Sequence, residues 1–247
     1  RAETESDGRK LLQFGRKHAN VRSMVLGHCA IGWSHMIEGD YHAALDRSLK
    51  ARKISADPWY AQFPSMNYCY IKGAMGEAAA VAETIGDLQR FGDRKGAEFS
   101  GDPARFLEGL VQLAKGEIAE GMATLEALLT YWENRGSRLR RSTFGLFTAK
   151  AYLELFRQQE NLPMARAAVS ADALGKNGLR HLEVTISLAS QMGSRSILAQ
   201  AHLALGLLYN ATGDGHRAQA AFSEAETHFK QCGARHFLAQ LKALRKP

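Results

Sequence analysis

Nine histidines and three cysteines are the residues of this 247-residue chain best suited to hold a metal ion or to act on a substrate. His28, His35 and His42 recur at a spacing of seven. Seven residues make about two helical turns, so His28 and His35 would stand ~10 Å apart along one face, too far to share a metal. Cys29 beside His28 adds a ligand type without the geometry, and His202, His216, His228 and His236 show neither HxxxH nor HExxH spacing. The expectation is histidines packed between helices and no metal. A phosphate-binding loop needs GxxxxGK[ST], whose backbone N–H groups cradle phosphate while the lysine and hydroxyl complete the site. The nearest text, Gly175-Lys176-Asn177-Gly178, lacks the upstream glycine and the hydroxyl and reads as a loop that ends a helix. Asp40, Asp46, Asp57 and Asp102 scatter over turns and solvated faces and do not form the carboxylate pair that two-metal nucleotide chemistry requires. No GxSxG elbow presents a nucleophile. The sequence therefore predicts no catalytic residue, no cofactor and no metal.

The charge balance narrows the partners. A net charge of +7 would suit nucleic acid or an acidic protein, but the basic residues are interspersed with 25 acidic ones. Trp33, Trp59, Trp132, Tyr60, Tyr68 and Tyr70 do not alternate with a basic stripe as a stacking groove would, so no specific nucleic-acid binding is expected. Trp59, Tyr60 and Phe63 follow Pro58 and read instead as a staple for the helix start that follows. The densest basic cluster, Arg135, Arg138, Arg140 and Arg141, falls at a helix junction, where it could cap carbonyls or meet an acidic ligand. Cysteines odd in number and without CxxC spacing point to a reducing compartment. With no apolar run of membrane length and no signal-peptide pattern at the amino terminus, a cytoplasmic location away from membranes is expected. The chain opens on Arg1 and leads straight into helical pattern, which suggests a piece of something longer.

The elements that would carry these residues announce themselves through glycine. Three sets repeat one spacing: Gly32, Gly39 and Ala44; Gly109, Gly116 and Gly121; Gly206, Gly213 and Ala218. Each lies between two apolar stretches of helical period, which predicts one helix-turn-helix unit copied along the chain and an all-α fold. A second signal, glycine followed by one residue and arginine, occurs at Gly92, Gly136, Gly178, Gly193 and Gly233 and reads as a helix stop between pairs, giving a period near 40. Pro58, Pro64, Pro103 and Pro163 stand at or near predicted helix starts. Helix pairs are predicted at 20–38 with 41–55, 59–75 with 77–91, 102–115 with 117–134, 138–158 with 162–174, and 196–212 with 215–231. Helices near 4–17 and 235–245 flank them. The clearest repeats are 20–55, 102–134 and 196–231, while 175–195 is irregular and 180–192 lacks a partner helix.

In the last pair Leu205, Gly206 and Tyr209 precede the turn glycine Gly213, and Ala218, Phe222 and Ala225 follow it. The small residues let two helices cross closely and the aromatics fill the space around the crossing. These residues at this spacing resemble the tetratricopeptide repeat. The first pair matches less fully, because Ser48 replaces the large aromatic. The second and fourth are degenerate, with Cys69, Gly76 and Val81 in one and Leu153, Glu160 and Ala165 in the other. The longer period and junctions such as QRFGDRKG and KQCGARH are similar to the carboxy-terminal arrays of bacterial signalling ATPases, transcription activators and class III nucleotide cyclases. The resemblance implies a single α-α superhelix over 1–247 of about five helix pairs, a non-catalytic docking or regulatory module whose parent's chemistry lies elsewhere. It also implies a concave face drawn from the first helix of each pair: Trp33, Met36, Phe106, Leu110, Lys150, Arg157, Leu203, Leu207 and Asn210. On that face Lys150 and Arg157 would clamp an acidic group and Asn210 would bond peptide backbone. A peptide, a partner domain or another part of the same polypeptide is the expected ligand. Two alternatives stand beside this: a scaffold for self-association into a homo-oligomer, and a regulatory region known by its parent's cyclase or ATPase activity.

Overall fold

The computed structural model describes residues 2–95, 98–158 and 170–245. The described residues form an all-α chain without strands, of the helix-pair array class expected from the repeats. It divides into two compact units, 1–111 and 112–247. The first holds α1 (Ala2–Lys17), α2 (Val21–Glu38), α3 (Tyr41–Ile54), α4 (Gln62–Ala74), a 3₁₀ turn (Ala78–Val81), α5 (Ala82–Lys95) and most of α6 (Glu98–Lys115). The second holds α7 (Ile118–Asn134), α8 (Arg138–Gln158), α9 (Ala171–Gln191), α10 (Arg195–Ala211), α11 (Gly215–Cys232) and α12 (Arg235–Leu244). Within each unit, helices adjacent in sequence pack against one another.

The turns inside the pairs are built on left-handed glycines, with φ of 88° at Gly39, 79° at Gly76, 86° at Gly116 and 83° at Gly213. After Gly39 and Gly213 an aspartate starts the next helix: Asp40 accepts from the Ala43 N–H and Asp214 from the Arg217 N–H, both at 3.0 Å. The glycine-x-arginine signature has a different structure. At Gly136, Gly193 and Gly233 the arginine N–H donates to the glycine carbonyl at 3.0, 3.1 and 3.0 Å. The residue between sits near φ −82°, ψ 83° at Ser194 and φ −81°, ψ 75° at Ala234. That is an inverse γ-turn inserted between a left-handed helix end and a new helix.

Two of the five expected stops are not stops. Gly92 lies inside α5 and Gly178 inside α9, and Gly175-Lys176-Asn177-Gly178 is helix, not loop. The reason is packing. The positions a Cβ would take on Gly175 and Gly178 lie 3.7 Å from the Phe156 ring and 3.8 Å from Tyr152 Cβ, so α9 runs unbroken along α8. The segment 180–192, expected to lack a partner, belongs to this helix as far as Gln191, and the helix packs on both α8 and α10. Pro103 stands inside α6, not at its start. Of the second helix expected at 162–174, residues 162–169 lie outside the described residues, as do Glu160, Pro163 and Ala165.

The crossings follow the small-residue pattern where it is complete. A Cβ on Gly206 would lie 2.5 Å from Phe222 ring carbons, and Ala218, Phe222 and Ala225 are buried. A Cβ on Gly32 would lie 3.3 Å from the Ala44 carbonyl oxygen. Gly109, Gly121 and Gly206 are all buried. Ser48, in the place of an aromatic, is buried and donates to the Pro64 carbonyl at 2.9 Å. Helix α1 is more than a lead-in: Gly8 meets Gly27 of α2 so closely that a Cβ on Gly27 would lie 2.8 Å from the Gly8 carbonyl oxygen.

Candidate functional site

The nine residues expected on a ligand-facing surface divide by burial. Met36, Phe106 and Leu203 are buried in the core and unavailable to a ligand in this conformation. Trp33 is half-buried and packs with Met36 against Ile71 and Ala44. Leu110 and Leu207 are half-buried against the apolar clusters of their own units. In α8 and α10 the polar members remain closer to solvent. Arg157 and Asn210 are exposed. Lys150 is largely enclosed, and its Nζ donates to Gln200 Oε1 at 2.9 Å. Burial pulls its ammonium down to about 8.

Helices α8 and α10 run in the same direction. Gly145 meets Thr185 and His181, whereas Gly175 meets Phe156, so α8 and α9 are antiparallel. A short turn at Gly193 then reverses the chain into α10. The Lys150–Gln200 bond sets the register, which places the carboxy-terminal turns of α8 and α10, bearing Arg157 and Asn210, at the same end.

The second concentration of polar chemistry joins α7, α8 and α9 and was not foreseen. Glu126 Oε1 accepts from the Tyr152 hydroxyl at 2.8 Å and lies 2.7 Å from His181 Nε2, while its Oε2 accepts from Arg180 at 2.9 Å. On the other side of the imidazole, Arg141 Nη2 stands 3.5 Å from Nδ1. Arg180 Nη2 also stands 3.3 Å from Nε2, so a guanidinium faces each ring nitrogen. Burial alone would raise the Glu126 carboxyl, but hydrogen bonding and charge from His181, with Tyr152 and Arg180, outweigh it and hold the group down at about 2. Tyr152 and His181 are fully enclosed. Intervals of 26 and 29 residues between Glu126, Tyr152 and His181 follow no helical period, so only the packing of three helices could reveal them.

The arginine cluster at the α7–α8 junction is divided by the fold. Arg135 stacks over Tyr131 at 4.7 Å and Arg138 is exposed. Arg141 is buried, with its Nε 3.3 Å from Glu133 Oε2. Beside it opens a cleft of about 220 Å³ lined by Trp132, Glu133, Ser137, Arg141, Val184 and Leu188, among others.

No group of three metal-ligating side chains is found among the described residues. His202 and His228 do meet, stacked at 5.9 Å between α10 and α11, a pairing that their spacing of 26 concealed. Burial raises the Cys29 and Cys69 thiols to about 12, which leaves them as small apolar fillers. Of the expected aromatic staple, Phe63 joins the core around Val25 and Ala51, but Trp59 stays 44% exposed and touches Phe91 edge-on. No helix among the described residues is long and apolar enough to cross a membrane.

No protein-family model matches the chain, and no curated protein does. Among solved structures, the chain is similar to the crystal structure of BtubC (BKLC) from P. vanneervenii, at 16% identity and a TM-score of 0.47, over 94% of this chain and 90% of that one.

Proposed function

We propose that this chain is a tetratricopeptide-like, non-catalytic interaction module of a larger cytoplasmic signalling protein, and that it docks an acidic peptide segment on the face shared by α8 and α10. The observation that carries this reading is the parallel setting of those two helices, with Arg157 and Asn210 exposed towards one end and Lys150, about two turns before Arg157, bonded across to Gln200 of α10. Arg157 offers a planar donor fork to a carboxylate, and the Asn210 amide can both donate to and accept from an extended backbone. Lys150 contributes a cation held in a fixed place by Gln200. An ammonium kept in an enclosed site at a cost in solvation fits a role in binding better than one in stability.

The test is titration of a fluorescent acidic peptide library into the wild type, Arg157→Glu and Asn210→Ala. Both positions are exposed, so the variants should fold normally. The expected result is a loss of affinity of about tenfold or more for Arg157→Glu, weaker at raised salt. Selected peptides that bind Arg157→Glu as tightly as the wild type would exclude this face. Light scattering across a concentration series separates docking from self-association, which would appear as a mass that rises with concentration.

A further inference from the structure

Arg141 is 4% exposed, yet its guanidinium is poorly satisfied. Its Nε reaches only Glu133, at 3.3 Å, and the Glu133 side chain is itself 65% exposed. Nη2 reaches His181 at the long distance of 3.5 Å, and Nη1 is buried without a partner. A buried charge is expensive unless it is paired and hydrogen-bonded, and this one is held by a single exposed carboxylate. The chain also makes room for it. A Cβ on Gly145 would lie 2.7 Å from Arg141 Nη1 and 2.8 Å from Thr185 Oγ1, so the guanidinium occupies space that only a glycine leaves open inside α8, a residue that otherwise weakens a helix.

The cleft that opens on this guanidinium supplies the rest of the description. Trp132, Val184 and Leu188 give it an apolar wall, Ser137 a hydroxyl, and Arg138 a second cation. Its volume is about 220 Å³. An apolar cavity of about 150 Å³ holds benzene, and a water occupies about 30 Å³, so the remainder suits a carboxylate group. We infer that the α7–α8 cleft binds a small aryl carboxylate, its ring on Trp132, Val184 and Leu188 and its carboxylate replacing Glu133 at the Nε–Nη2 edge of Arg141. Glu133 is the resident stand-in for the ligand. Only the Glu133 side is exposed, so its carboxylate can swing into water, and the incoming carboxylate takes over the contact that keeps the buried guanidinium paired. The site lies on different residues from the α8–α10 docking face and does not depend on it.

The experiment uses phenylacetate and its neutral isostere phenylacetamide as probes, measured by calorimetry and by the quenching of Trp132 fluorescence in a Trp33→Phe/Trp59→Phe background. Phenylacetate is expected to bind about tenfold or more tighter than phenylacetamide. Glu133→Gln, which removes the competing charge at an exposed position, is expected to tighten phenylacetate about threefold or more. Val184→Trp, checked for folding by circular dichroism, fills the cleft and should abolish binding. Equal affinity for the two probes, no saturable binding of phenylacetate to Glu133→Gln at millimolar concentration, or binding that survives in folded Val184→Trp would each overturn the assignment.

Discussion

Glu126 gathers three partners, Tyr152, Arg180 and His181, from two other helices. Truncation to alanine would leave the Tyr152 hydroxyl and His181 Nε2 enclosed without their acceptor, a penalty of about 1–3 kcal/mol or more. Glu126→Ala should therefore lower the unfolding free energy by that amount, read as a lower urea midpoint at an unchanged slope, and a loss below about 0.5 kcal/mol would contradict the network. The pH dependence has a definite sign. The carboxyl is held at about 2 in the fold against an ordinary value of 4.5, so its contribution is complete above pH 4.5 and is lost as pH falls towards 2. Glu126→Gln should flatten the stability profile across that window. None of this was legible in the sequence, because the three residues belong to different helices and no local pattern ties them. The same blindness applies to burial. Phe106 and Leu203 match inner-face positions of the repeat that the chain resembles, but that match does not say which apolar positions a neighbouring helix will cover.

Glycine was legible as punctuation at the scale of elements, but its two meanings were not separable. Gly39, Gly116, Gly136, Gly193, Gly213 and Gly233 all take left-handed φ and end helices as expected. Gly175 and Gly178 carry the same letter in helix α9, where Tyr152 and Phe156 of α8 come close. Local propensity favoured a break, and tertiary packing overrode it. Two substitutions of the same chemistry should therefore act in opposite directions. At Gly178 an added Cβ finds ordinary van der Waals contact at 3.8 Å, so Gly178→Ala should stabilise by about 0.5–1 kcal/mol through helix propensity. At Gly206 the added atom would lie 2.5 Å from the Phe222 ring, so Gly206→Ala should destabilise by about 1–3 kcal/mol. Paired thermal melts decide both. Destabilisation by Gly178→Ala would argue against an unbroken α9, and a neutral Gly206→Ala would argue against the close α10–α11 crossing.

Across the whole molecule the governing quantity is positive charge, which grows as pH falls. The chain carries +7 with histidine neutral, and its nine histidines would take it towards +16. Two of them add a local cost, one in each unit. Burial first, and then Arg47, Arg16 and Lys50 against the opposing Asp46, lower the pKa of His28. Burial also lowers His202, with His228 acting in the same direction and Glu224 against it. A histidine whose folded pKa lies below its ordinary 6.5 leaves stability untouched above that pH and removes it as pH drops below, because the unfolded chain takes the proton first. Melting temperature should therefore fall between pH 7.5 and 5.5. The two causes respond differently to salt. At about 0.5 M sodium chloride the Debye length falls to roughly 4 Å, which screens the net charge, whereas the penalty for burying an imidazolium is not a long-range effect and persists. Salt should thus recover part of the lost stability, and His28→Gln with His202→Gln should recover the part that salt does not. Complete recovery by salt alone would assign the acid lability to net charge and leave the buried histidines without a role in it.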